Sequence, residues 1–319
     1  MNLFRTLALL LVLACSGAFA QGYPNKPVRI IVPFAPGGAT DIVTRIVAQK
    51  LTEAWSQSVI VENRSGAGGN IGGEAAAHSA PDGYTLFMTS GSIVTANQYI
   101  YKKMAFDPAK DLLPITNVAS GPQVIVVNPS FPAKTLKEFI AAARAKPGAL
   151  NFGHAGIGTQ THLAAENFLF AANLNVISIP YKGEGPAMTD LVANQINMAT
   201  VNMPGAIGFI NQGKLRALAV TGKERSPQLP DVPAAAETLP GFENIGWFGL
   251  MAPSGTPNEV IDKVYRDTAK ILDTTEMRAR FYVLGMVPVG NTPAQFAAAI
   301  REESARWAKV VRERKIVVN

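Results

Sequence analysis

The chain has 319 residues, of which 48% are hydrophobic and 16% are charged, so it can bury a core in two domains or one large one. Its formal net charge is +6, but the lysines and arginines are scattered and are not interleaved with aromatic residues, which argues against a nucleic-acid-binding protein. No segment after the N-terminal region reaches the roughly 18 unbroken apolar residues that a membrane span needs.

The first 20 residues have the organisation of a secretory signal peptide. Arg5 supplies a positive charge, residues 6–14 are mostly apolar, and Ala18-Phe19-Ala20 is an A-x-A cleavage site. Cleavage after Ala20 would export a mature protein without its only cysteine, Cys15. Residues 12–14 loosely resemble a lipobox, so lipidation of Cys15 is the alternative.

Segments with strand and helix patterns alternate along most of the chain. This order predicts an α/β protein with largely parallel sheets. A helical apolar face predicts a first helix from Asp41 to Trp55. Runs of apolar, often β-branched residues predict strands at 28–34, 58–62, 84–90, 123–128, 150–153, 176–181, 196–202 and 215–221.

Three threonines predict the starts of later helices. Thr135, Thr256 and Thr292 each stand three residues before a glutamate or glutamine, which is the pattern of a capping box. The last of these helices is expected to run to about Arg312. Its charged residues, Glu303 among them, are expected on a solvated face.

Two segments have the composition of crossings between domains. Residues 117–123 join two strand-like stretches, and the proline-rich residues 227–241 precede an apolar run. Two crossings would give the middle of the chain a domain of its own and return the C-terminal part to the first domain. We therefore expect domain 1 to comprise residues 21–122 and 241–319, and domain 2 to comprise residues 123–240.

Glycine-rich turns follow several predicted strands and lead into helices. Residues 36–41 leave backbone N–H groups uncovered at a helix N-terminus, where unpaired amides and the helix dipole attract anions. Residues 154–162 repeat this order of strand, turn and helix. Two such termini facing one cleft would hold a dicarboxylate, or one carboxylate with a polar tail. The alternative is an ordinary turn whose glycines only allow tight packing.

Signatures of catalysis are scarce in this chain. The three histidines, His78, His154 and His162, have no zinc-ligand spacing, and no G-x-S-x-G, Walker A or H-E-x-x-H motif occurs. We therefore expect a binding protein with no catalytic residue, metal or cofactor. The rival interpretation is a periplasmic hydrolase or lyase, with His162, Asp41 and Glu166 as its acid and base groups.

Six groups of residues form motifs that follow one another along the chain: 33–38 with Asp41, 61–64 with 66–72, 81–86, 180–183, 213–221 and 252–257. Together these motifs resemble those of one known family, the Bug-type periplasmic solute receptors of tripartite tricarboxylate transporters. The resemblance covers nearly all of the mature chain, in order. It implies a type II periplasmic binding protein fold, a two-domain Venus flytrap with two hinge crossings, which closes on a small carboxylate.

The same resemblance implies the ligand-binding residues. The loops Ala35–Thr40 and Gly156–Thr161 would hold the carboxylate. Ser90 and Gly91 would lie beside the ligand, and Tyr181 and Asn202 would line the other wall. The expected site comprises Phe34, Ala35, Pro36, Gly37, Gly38, Ala39, Thr40, Asp41, Ser90, Gly91, Gly156, Ile157, Gly158, Thr159, Gln160, Thr161, Tyr181 and Asn202.

The resemblance further implies the partners and the periplasmic location. The partners would be a small carboxylate and the membrane subunits of the transporter, or a sensor kinase if the receptor signals instead. Dicarboxylates, citrate-like acids, aromatic or nicotinate-like carboxylates and amino acids are all left open. Val201 stands where the family commonly has aspartate, which makes an amino acid less expected unless that aspartate is structural.

Overall fold

A computed structural model describes residues 22–314 and 316, so the predicted signal peptide, Cys15 and the cleavage site after Ala20 lie outside the described part of the chain. The strands are β1 Val28–Val32, β2 Val59–Asn63, β3 Thr85–Ser90, β4 Leu112–Val127, β5 Asn151–His154, β6 Ile177–Pro180, β7 Met198–Asn202, β8 Arg216–Val220, β9 Ile245–Pro253 and β10 Val287–Pro288. The helices are α1 Ala39–Trp55, α2 Asn70–Ala77, α3 Gly91–Thr95, α4 Asn97–Ile100, α5 Leu136–Ala145, α6 Gln160–Ala172, α7 Glu184–Val192, α8 Met203–Asn211, α9 Asn258–Leu272, α10 Thr275–Val283 and α11 Pro293–Arg314.

Two groups of strands are joined by the long strand β4. As far as Pro122, β4 pairs antiparallel with β9, and its last residues pair with β7 and β8 on its two sides. The first group has the order β2-β1-β3-β9-β4, in which β1 is parallel to β2 and β3. The second has the order β8-β4-β7-β5-β6, in which β5 is parallel to β6 and β7. Helices connect these parallel strands, as parallel pairing requires.

Residues 117–123, which we expected as a connection, lie inside β4. Their backbone continues the ladder with β9, and β10 pairs with Ser120 and Ala119. The crossing at this point is therefore extended strand and not a loop.

The buried side chains form separate clusters on the two groups of strands. Val124 and Val126 belong to one cluster and Ile125 and Val127 to another, because alternate residues of a strand face opposite sides of the sheet. Phe248, from the first group, belongs to a third cluster that packs on α1 and α9. The domain boundaries expected from the sequence stay a prediction.

The helix starts follow the sequence except at Thr256. Thr292 forms the full capping box with Gln295, in which each backbone N–H donates to the other side chain. Thr135 caps α5 by accepting a hydrogen bond from Glu138 N. The prediction for Thr256 is wrong, because α9 begins one residue later, after Pro257, and the Thr256 hydroxyl donates to Pro253 O.

The prediction that Glu303 lies on a solvated face is also wrong. Its carboxylate accepts hydrogen bonds from Trp247 Nε1 at 2.7 Å and Thr95 Oγ1 at 3.2 Å. These contacts dock α11 on β9 and α3. Within residues 22–314 and 316, no helix is both long and apolar enough to cross a membrane.

Candidate functional site

Residues at the N-termini of α1 and α6 line one small cavity. The centre of a water-sized group can occupy about 10 Å³ of this cavity. This is about the least volume that holds one such group. Its walls come from loops that are separated widely in sequence. The lining residues are Phe34, Gly38, Ala39, Thr40, Ser90, Ala155, Thr159, Gln160, Thr161, Glu184 and Asn202.

The N-terminus of α1 has no side-chain cap from its own turn. Gly38 is the N-cap residue, and Gly37 before it has φ +87°, a conformation that favours glycine. Ala39 N, one of the uncovered amides that the sequence predicted, donates at 2.7 Å to Glu184 Oε2. A carboxylate therefore does bind this terminus, but it belongs to the protein.

Asp41 stabilises the turn before α1 and does not line the cavity. It is buried, and its carboxylate accepts hydrogen bonds from Gly37 N, Arg45 Nε and Asn63 Nδ2. Burial alone would raise the pKa of Asp41, but the hydrogen bonds from Arg45, Asn63 and Gly37 outweigh it and hold the pKa below its ordinary value.

The N-terminus of α6, in contrast, is capped by its own residues. Thr159 Oγ1 accepts a hydrogen bond from His162 N at 3.3 Å and donates to Gly156 O at 2.6 Å. Gly158 N donates to His162 Nδ1, and Ala155 N donates to Thr161 Oγ1. The turn is thus held by hydrogen bonds within residues 155–162.

Two buried histidines lie behind this turn. Their ring centroids are 4.4 Å apart. Burial lowers the pKa of His162 to about 4, and burial together with the charge of His162 lowers the pKa of His154 to about 3. Both rings are therefore neutral at pH 7.

The groups of the rival enzyme interpretation are engaged in structural contacts. His162 Nδ1 accepts from Gly158 N, and its Nε2 lies 3.7 Å from Glu166 Oε1. Asp41 is held instead by Arg45 and Asn63. In the described residues, no group of three or more histidine, cysteine, aspartate or glutamate side chains is placed to hold a metal ion.

Ala155 and Glu184 line the cavity but were not among the expected site residues, and Glu184 is the polar one of the two. It is 5% exposed and begins α7. Its Oε1 accepts from Asn202 N at 2.9 Å and from Asn202 Nδ2 at 2.6 Å, while Oε2 accepts from Ala39 N. Burial raises the pKa of Glu184, against the opposing effect of the hydrogen bonds from Asn202 and Ala39. An acidic residue in the first turn of a helix is common, so no sequence pattern distinguished Glu184 as a site residue.

The side chain of Gln160, at the start of α6, forms hydrogen bonds with the first group of strands. Its Nε2 donates to Ser90 Oγ and to Trp247 O, both at 2.7 Å. Its Oε1 accepts from Trp247 N at 2.9 Å. One side chain thus joins α6 to the ends of β3 and β9.

Two further hydrogen bonds connect the same parts of the chain. Tyr101 Oη donates to Ile157 O at 2.7 Å. Ala35 N donates to Lys182 O at 3.0 Å. The residues around the cavity are therefore in direct contact across it.

The structure divides the expected site residues into three sets. Half of them line the cavity. Three others, Gly156, Ile157 and Tyr181, line a neighbouring groove of about 350 Å³ that shares Ala155 with the cavity. Six line neither space: Ala35, Pro36, Gly37, Asp41, Gly91 and Gly158.

Comparison with known proteins identifies the family. Residues 43–316 match the family described as tripartite tricarboxylate transporter family receptor. The chain belongs to this family. It is 38% identical over 320 residues to protein BugT of Bordetella pertussis, which covers 98% of each chain. The family predicted from the motifs is confirmed.

Two solved structures of relatives show the same fold. Rpa4515 of R. palustris, solved with adipate, is 33% identical with a TM-score of 0.89, covering 91% of this chain and 98% of the other. MatC from Rhodopseudomonas palustris with bound malate is 33% identical with a TM-score of 0.86, covering 91% and 100%. The predicted two-domain periplasmic binding protein fold is confirmed.

Proposed function

We propose that this receptor binds a small carboxylate in the cleft between residues 123–240 and the rest of the chain, and delivers it to the membrane subunits of a tripartite tricarboxylate transporter. The observation that carries the proposal is the cavity between the α1 and α6 termini. Its lining includes backbone amides and hydroxyls that can donate, beside the carboxylate of Glu184, and none of the lining residues in the described part of the chain is lysine or arginine.

The donors suit a carboxylate oxygen. Gln160 and Thr161 begin α6, where the first amides of a helix have no partner inside it. Ser90 Oγ accepts from Gln160 Nε2, which leaves the Ser90 hydroxyl hydrogen to donate. Thr40, which also lines the cavity, adds another hydroxyl. These groups can hold an anion without a buried cation.

The relatives support the ligand class. Rpa4515 was solved with adipate and MatC with malate. Both molecules are small carboxylic acids, and both proteins share the fold of this chain over at least nine tenths of its length. We extend the carboxylate class, and the periplasmic location that an exported receptor needs, to this protein as part of the proposal.

The cleft is proposed to open by rotation about β4 and β9. Gly121 pairs with Gly246 where the two strands pass between the two groups of strands. A Cβ atom at Gly246 would lie 2.4 Å from Gln160 Oε1 and 2.5 Å from Asn202 Oδ1. A side chain at position 246 would have to displace Gln160 or Asn202, so glycine here keeps the site close to the strands about which we propose the rotation. Residues 21–122 with 241–319, and residues 123–240, would be the two moving domains.

Native mass spectrometry of the protein purified without denaturation tests the binding role. We expect a co-purified small acid whose addition to stripped protein raises the melting temperature, because a ligand of the folded state stabilises that state. The recovered ligand should be chemically unchanged. Turnover of the ligand by purified protein would contradict a pure receptor.

Uptake by whole cells tests the transport role. Deletion of the gene should abolish uptake of the identified ligand, and a copy of the gene should restore it. Uptake that survives the deletion, together with a lost transcriptional response, would favour the signalling role with a sensor kinase.

A further inference from the structure

Glu184 gives the cavity an anion of its own. From this we infer that the ligand is an amino-bearing carboxylate, with its protonated amine facing Glu184 and one carboxylate held at the N-terminus of α6. The inference rests on the proposed function, because it takes this cavity as the ligand site.

The α1 terminus is already bound to a carboxylate. Glu184 Oε2 accepts from Ala39 N at 2.7 Å, the same contact that a ligand carboxylate would make at a helix N-terminus. A second carboxylate at this position would meet a like charge in a buried place, where screening by water is weak. A plain dicarboxylate held by both termini is therefore disfavoured.

The cavity also has acceptors that are not fully used. Glu184 Oε1 accepts two hydrogen bonds and Oε2 accepts one, so Oε2 has room for another donor. Asn202 is 5% exposed, and its Oδ1 is buried without a hydrogen-bond partner in the described part of the chain. Both residues line the cavity. A protonated amine carries three donors and can serve both oxygens.

The charge balance favours a cation at the same place. Within the described residues, the hydrogen-bond donors to Glu184 are uncharged amide groups of Ala39 and Asn202. A buried carboxylate without a cationic partner is unfavourable, and a charged partner offsets that cost. The ligand amine would supply the cation that the protein does not.

The two spaces limit where the ligand groups can lie. The cavity of about 10 Å³ takes a single group of the size of water, so the amine and the carboxylate can both reach its lining residues only when the cleft opens as proposed above. The neighbouring groove of about 350 Å³ shares Ala155 with the cavity and can take the rest of a larger molecule.

Isothermal titration with pairs of acids that differ only in the amine tests the inference. The pairs are L-glutamate with glutarate, L-alanine with propionate, and 4-aminobutyrate with butyrate. In at least one pair we expect the mature protein to bind the amino member at least tenfold more tightly. Glu184→Gln should reduce that preference tenfold or more, because its side chain is neutral. Glu259→Gln is the matched control, since Glu259 is an exposed first-turn glutamate of α9.

Two results would overturn the inference. One is equal or tighter binding of the amine-free acid by the unmodified protein. The other is an unchanged preference in Glu184→Gln, or a gain for all acids alike, which would make Glu184 a competitor of the ligand carboxylate. Should Glu184→Gln fail to fold, the acid pairs on the unmodified protein and the charge-preserving Glu184→Asp decide the matter. If no small acid binds at all, the proposed function fails together with this inference. If acids bind without a preference for the amine, only this inference fails.

Discussion

The two helix N-termini at the cavity are completed in different ways. The terminus of α6 is capped by Thr159 and held by His162, within the same turn of chain. The terminus of α1 has Gly38 as its N-cap and binds the carboxylate of Glu184, which is 145 residues away from Ala39. One terminus therefore forms together with its helix, whereas the other is completed only when distant segments meet. We expect the α1 side to respond to closure and the α6 side to be preformed.

The same two regions respond to pH in opposite directions. Burial lowers the pKa of both histidines behind the α6 turn, so their burial becomes unfavourable as the pH falls below their unfolded pKa. Burial raises the pKa of Glu184, so the folded protein binds this proton more tightly than the unfolded chain. The free energy of unfolding contributed by Glu184 therefore rises as the pH falls, and is lost as the pH rises through its folded pKa.

The largest expected effect is the pH dependence that comes from His154 and His162. Between pH 6.5 and 5 the unfolded chain binds protons at both residues and the folded protein does not. The free energy of unfolding should fall by up to about 1.4 kcal/mol per pH unit for each histidine. Urea unfolding at pH 7, 6 and 5 measures this slope, and the double variant His154→Gln/His162→Gln should flatten it. His78→Gln is the control, since His78 is exposed. Equal slopes in all three proteins would contradict the burial argument.

Gln160→Ala should have the next largest effect. It leaves Trp247 N without its acceptor and removes the donor to Ser90, so we expect a loss of about 2 kcal/mol in the free energy of unfolding. Urea unfolding measures it against Gln195→Ala, which removes an exposed glutamine and should change stability by less than about 0.5 kcal/mol. A loss no larger than in the control would mean that the two sides of the cavity are not joined through this side chain.

Local patterns predicted the elements of the fold, because strands and helix starts depend on near neighbours. The strands expected at 28–34 and 84–90 form within two residues of their predicted bounds, and the capping box at Thr292 is present. The crossing expected at 117–123 is itself strand, because β9, more than 120 residues later, pairs with this segment and extends β4 through it.

The site could be predicted only in part, for the same physical reason. The glycine turns at both helix termini were visible, because their conformation is set locally. The role of Glu184 was not, since it depends on contacts with Ala39 and Asn202 from distant segments. Val201, in place of the family's usual aspartate, had made an amino acid less expected as the ligand. Our inference goes the other way, because Glu184 brings a carboxylate to the adjacent residue, Asn202.

A pair of capping threonines gives the smallest effect and the sharpest comparison. Thr159→Ala and Thr135→Ala each remove a side-chain acceptor at an N-cap, from His162 N in α6 and from Glu138 N in α5. Each should cost about 1 kcal/mol of stability. Only Thr159→Ala should also weaken binding of the co-purified ligand, since Thr159 lines the cavity and bonds to Gly156 O. Urea unfolding and titration of both variants separate stability from binding. Equal affinities in the two variants would mean that the preformed terminus of α6 does not hold the ligand carboxylate.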